Sequence, residues 1–189
     1  MKNEAEIWAK LREVAKRMFI NPFEASEDAE FRKALLWVLD FPLVPVKVDT
    51  VERAILMGRI RDTGRDSFSN DHTPFDEARQ RKFWQDNKDT MTAYLFRHPE
   101  SWEAVAYSAT LLRDGKYYTS NAVLPAWRGR GYGKAVLHFI VNIVEHDCWA
   151  TALLTNKAAR REHNIVDWEQ VVVDEIGGLV HFHTWRGRK

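Results

Sequence analysis

The feature that most constrains this chain is the run Val123-Leu124-Pro125-Ala126-Trp127-Arg128-Gly129-Arg130-Gly131-Tyr132-Gly133-Lys134. Upstream of it, Lys116 to Val123 is rich in aromatic, β-branched and small residues and reads as a strand. Pro125 cannot donate to a sheet ladder, so the strand should end close to it. Downstream, Ala135 to Val144 is almost continuously apolar and long enough for three turns of buried helix. Between them three glycines alternate with Arg130 and Tyr132. Glycines so placed let backbone N–H groups converge with no side chain in the way. A helix then starts where those donors point, which makes the turn a receptor for an anion. Arg128, Arg130 and Lys134 add positive charge, and the expected guest is a phosphate or pyrophosphate.

Spacing separates the phosphate-binding loops. A P-loop needs Gly five residues before its Gly-Lys pair and Ser or Thr after it. Here those places hold Arg128 and Ala135. A dinucleotide fingerprint needs its third glycine three residues after the second, and Lys134 stands there instead. The remaining pattern is Arg or Gln, two residues, Gly, one residue, then Gly or Ala. Arg128-Gly129-Arg130-Gly131-Tyr132-Gly133 satisfies it. In this run the chain resembles the GNAT superfamily of acyl-CoA-dependent N-acyltransferases.

A second stretch extends the resemblance. Cys148 to Thr155 reads as a buried strand, and Asn156 follows it with Ala159 three residues on and His163 seven on. Asn and Ala match the family pattern, whereas His163 stands where the family usually has Tyr. The resemblance spans roughly residues 43 to 185 and implies transfer of an acetyl or other short acyl group from acyl-CoA, with acetyl-CoA as co-substrate, to a primary amine. It implies that Ala122, Val123 and Leu124 bond the pantetheine through their backbones. It places the pyrophosphate on Arg128, Gly129, Arg130, Gly131, Tyr132, Gly133 and Lys134, and it sets Asn156 on the far wall. It implies His163 as general acid for the departing thiolate, with an imidazole in the place of a phenol. The strand Tyr117 to Val123 carries no carboxylate, so the general base is open: the candidates are Glu103, Asp174, Glu175, His181 and His183. Two histidines on one strand face are too few for a metal site, and no metal is expected.

The rest of the chain reads as the remainder of such a domain. Residues 1–42 carry two amphipathic helical patterns joined by Asn21-Pro22-Phe23 and are expected to form a helical extension packed on a core domain at 43–189. Phe41 to Val48 predicts a short first strand, at an edge because of its prolines, and Asp49 or Thr50 a helix cap. Arg61 to Thr73 predicts a polar loop able to frame an acceptor site, and Thr73-Pro74 the start of a helix with Asp76 and Glu77 in its first turn. Two strands at 91–96 and 102–112 lead to the Asp114-Gly115 turn, and strands at 170–174 and 179–185 close the order. The expected class is α/β (α+β): a mixed, mostly antiparallel sheet of about seven strands flanked by helices.

Composition limits the alternatives. The chain has 45% hydrophobic residues, enough for a full core, and a net charge of +1, which gives no general attraction to nucleic acid. No apolar run reaches the length of a membrane span, and the first residues lack the apolar centre of a signal peptide. The single cysteine, Cys148, allows no internal disulfide. A cytoplasmic enzyme with no membrane or nucleic-acid partner is expected, and the exposed last strands permit a homodimer. The rival reading is a GNAT-like module that holds coenzyme A without turnover, for regulation or interaction.

Overall fold

The computed structural model describes residues 43–68, 72–144, 146–165, 169–174 and 178–184. The expected helical extension at 1–42 lies outside them. Element order is β1 (Val44–Lys47), α1 (Val51–Asp62), α2 (Glu77–Asn87), β2 (Met91–Arg97), β3 (Ala104–Arg113), β4 (Lys116–Val123), α3 (Tyr132–Ile143), β5 (Cys148–Leu153), α4 (Lys157–Ile165), β6 (Glu169–Asp174) and β7 (Leu179–His183). The seven strands form one sheet in the order β1-β2-β3-β4-β5-β7-β6. Every pairing is antiparallel except β4 with β5. The architecture and the order of elements are those expected from the sequence.

Local chemistry sets the boundaries. Thr50 caps α1, its hydroxyl accepting from Arg53 N at 3.4 Å. Asp76 caps α2, its carboxylate accepting from Arg79 N at 2.7 Å. The second helix therefore begins at Glu77, three residues later than Pro74 suggested. A carboxylate that meets a free N–H fixes a helix start more firmly than a proline that only tolerates one. Asp114 and Gly115 both have positive φ, at 49° and 73°, as a tight hairpin turn requires.

The sheet buries both faces. On one, Tyr94, Phe96, Val136, Leu137, Phe139, Ile140, Val180 and Phe182 pack around α3. Phe139 meets Tyr94 and Phe96 edge-on with ring centroids 5.1 Å apart in each case. On the other, Ala54, Met57, Ile60, Trp84, Leu95, Tyr107 and Ala109 pack beneath α1 and α2. The helix α3 is thus anchored against the middle of the sheet, and its N-terminus is held at the end of β4. Among the described residues no helix is long and apolar enough to cross a membrane.

Phe139 is 1% exposed at the centre of the first core. Phe139→Ala should therefore lower the unfolding free energy by about 3–5 kcal/mol, read by denaturant titration.

Candidate functional site

The decisive geometry is the parting of β4 and β5. They pair in parallel only at Tyr117 with Cys148 and Tyr118 with Trp149. Beyond those two pairs β4 continues to Val123 and β5 to Leu153 with no ladder between them. Leu124 N donates to Val105 O at 2.8 Å. Strand alternation then turns the backbones of Leu124, Ala122 and Ser120 toward β3, and those of Val123, Asn121 and Thr119 toward the gap. Of the three residues assigned to backbone binding of pantetheine, only Val123 faces the gap. Its carbonyl already accepts from Arg128 Nε at 3.0 Å. Asn121 and Thr119 were not singled out in the sequence, because a strand's parity is invisible until its partner's register is known.

A cleft of about 990 Å³ opens at this gap. Ala122 and Val123 line it from β4, and Gly129, Gly131, Tyr132, Gly133 and Lys134 from the glycine loop. Asn156 closes it opposite, and α1, α2 and the segment between them form its other side through Met57, Arg61, Phe68 and Phe83. Leu124 is partly buried against the core under α1 and α2 and does not line the cleft.

The loop has the backbone shape that its sequence demanded. Gly129 and Gly131 have φ of 75° and 81°, in the left-handed region where side chains are strained. Gly131 is the N-cap residue of α3 and supplies no side-chain cap. The first N–H groups of α3 thus receive no side-chain cap from it. A side-chain carbon at either glycine would meet nothing within 4 Å, so the glycines are required by conformation rather than by crowding.

The charged residues of the loop divide by role. Arg128 donates to Val123 O and, through Nη2, to Thr63 O at 3.3 Å, so it fastens the loop to the end of β4 and to the segment after α1. The Arg130 guanidinium lies over the Trp127 ring, 4.8 Å from its centroid, and Arg130 is outside the cleft lining. Lys134, exposed in the first turn of α3, lines the cleft. Asn156 accepts from Ala159 N at 3.1 Å as the cap of α4 and donates to Ser67 O at 3.1 Å.

The two catalytic candidates separate. His163 falls on α4, seven residues after Asn156. Glu103 is exposed just ahead of β3 and does not line the cleft, because the β2–β3 turn carries it outward past His98. Tyr118 lines the cleft, whereas Tyr117 points to the opposite face and stacks on His146 at 3.3 Å between centroids. The buried polar pair at the cleft was not apparent in the sequence. Tyr107, 2% exposed, has its hydroxyl 2.7 Å from Ser120 Oγ. Burial pushes its phenol from the usual 10.0 up to about 12, against opposing contributions from the Ser120 hydrogen bond and the Arg61 charge.

A sequence profile of the acetyltransferase (GNAT) family matches residues 58–164, more than half of the chain. The chain belongs to the GNAT acetyltransferase family. Comparison with curated proteins gives no match. Solved structures share the GNAT fold at low identity. A phosphinothricin acetyltransferase from Sinorhizobium meliloti, solved with acetyl-CoA, is 12% identical with a TM-score of 0.63, the alignment covering 76% of this chain and 88% of that one. A ribosomal-protein-alanine N-acetyltransferase from Brucella melitensis is 18% identical with a TM-score of 0.60, covering 75% and 99%. The yncA protein of Salmonella typhimurium, solved with its cofactor acetyl-CoA, is 16% identical with a TM-score of 0.60, covering 75% and 92%.

Between pH 10.0 and about 12 the unfolded GNAT chain releases the Tyr107 proton while the folded chain retains it, so folding stability must fall as pH rises through that window. Tyr107→Phe should remove about 2–3 kcal/mol of the alkaline loss, read by comparing unfolding free energies of the two proteins from pH 9 to 12.

Proposed function

We propose that this protein transfers an acetyl or other short acyl group from acyl-CoA to a primary amine. The observation that carries the reading is the strand gap ending on an uncapped, glycine-shaped helix N-terminus. An extended amide-bearing chain fits beside the gap-facing backbones of Thr119, Asn121 and Val123, and a pyrophosphate fits the N–H groups from Gly129 to Lys134. Coenzyme A has those two parts in that order. Lys134 supplies charge to the same end, and Asn156 bounds the opposite wall. Arg128 acts by holding the loop in place rather than by meeting phosphate. Arg130 is assigned to the outer rim of the site.

The thioester is activated before it arrives, so the protein's task is positioning. Holding an amine and a thioester at attack distance is worth roughly 7–11 kcal/mol in well-oriented model reactions. The amine enters between α1, α2 and the sheet, where Met57, Phe68 and Phe83 offer apolar surface and Arg61 a charge. His163 on α4 is assigned the proton for the departing thiolate, its family position being the one that usually holds Tyr. β4 carries no carboxylate and Glu103 stands outside the cleft, while the cleft's Asp62 and Asp76 already accept from Phe75 N and Arg79 N, so water is assigned the proton that the acceptor ammonium must lose before its nitrogen attacks.

The reading is tested by calorimetric titration of the full chain with acetyl-CoA. Binding in the low micromolar range is expected, followed by thiol release when amines are supplied. Gly131→Glu should weaken binding by at least about 100-fold, since it puts a side chain at φ 81° and an anion where the pyrophosphate sits. A folded native chain that binds no acetyl-CoA would remove the reading.

A further inference from the structure

Ser120 and Tyr107 stand at the point where the sheet opens. Ser120 lies two residues beyond Tyr118, the last β4 residue paired with β5. Its side chain is half-buried and lines the cleft. It points to the face beneath α1 and α2, because its Oγ lies 2.7 Å from the hydroxyl of Tyr107, a member of the core on that face. Tyr107 is fixed from the neighbouring strand, where it pairs with Ala122. Either hydroxyl can donate in this pair, and the more acidic phenol is the better donor, so the favoured arrangement has Tyr107 O–H donating and Ser120 Oγ accepting. The Ser120 hydrogen is then left to a second acceptor on the cleft side. Arg61 lines the same cleft, and its positive charge reaches the Tyr107 hydroxyl.

We propose that the Ser120 hydroxyl, held from behind by Tyr107, donates to the thioester carbonyl oxygen of acyl-CoA. This rests on the acyl-transfer reading above and deepens it. In the transfer, the acceptor nitrogen bonds to the carbonyl carbon and the C=O electron pair moves onto oxygen. Its return breaks the C–S bond, and the proton lost by nitrogen ends on sulfur. A donor fixed beforehand at that oxygen stabilises the charge as it develops. Tyr107 touches no reacting atom and is a positioning residue. Because burial keeps its phenol protonated far above neutrality, it serves as an oriented dipole and not as a base.

Only the acyl-bearing ligand has the carbonyl, so the test compares acetyl-CoA with free coenzyme A. Dissociation constants for both are measured by calorimetry on the native chain, Ser120→Ala, Tyr107→Phe and the double variant, with thermal unfolding to establish that each is folded. Ser120→Ala should weaken acetyl-CoA about fivefold and leave coenzyme A unchanged, the worth of one neutral hydrogen bond. Tyr107→Phe should weaken acetyl-CoA by a smaller factor, and the double variant should match Ser120→Ala because the two act as a unit. Equal weakening of both ligands, or no change in either, would overturn the assignment while leaving the acyl-transfer reading standing. A native chain that binds neither ligand would end both.

Discussion

The structure depends on a sheet that fails to close. A parallel pair that zipped along its full length would satisfy the facing backbones of β4 and β5 and leave nothing for a ligand. Here the pairing stops after two residues, and an amide-rich guest can complete the sheet by adding itself as a strand. The open edge survives because it lies in the interior of a sheet. Strands β1 to β3 brace β4, and β7 and β6 brace β5. Neither rim can fold over to pair with something else.

Two cores hold those rims apart. The residues around Phe139 press α3 onto the sheet, so its glycine-capped start is seated on close packing. The residues around Trp84 and Tyr107 hold α1 and α2 on the other face, so the second wall of the cleft has its own foundation. The glycine loop joins the two with few side chains of its own, and its shape comes from backbone angles at Gly129 and Gly131. The geometry of the cleft is thereby set by elements, with the loop as the link between strand and helix.

Much of this was legible in the sequence, for physical reasons that differ from part to part. The order of elements could be read because the strands carry β-branched and aromatic residues, while helix starts carry Thr50 and Asp76. The loop could be read because Gly129 and Gly131 serve a conformation that other residues resist. What could not be read depends on register. Whether Ala122 or Asn121 offers its backbone to the gap is decided by the alignment of β4 on β3, a one-residue matter that leaves no trace in composition. The Tyr107–Ser120 pair joins two strands across 13 positions, and either residue alone looks like ordinary strand. Arg128 matched the motif as a cation, yet its nearest partners are two carbonyl oxygens. A motif records which residue stands at a place, and only geometry says which atoms it meets.

The short segment between α1 and α2 has one further consequence. Arg128, at the β4 rim, holds Thr63 O, and Asn156, at the β5 rim, holds Ser67 O. The residues from 63 to 67 therefore span the mouth of the gap like a tie-bar between two gateposts. Any motion that spreads the posts must stretch that bar or release one end. The separation of the strands and the conformation of the segment between α1 and α2 are thus one mechanical coordinate, and whatever parts the strands is felt across the cleft.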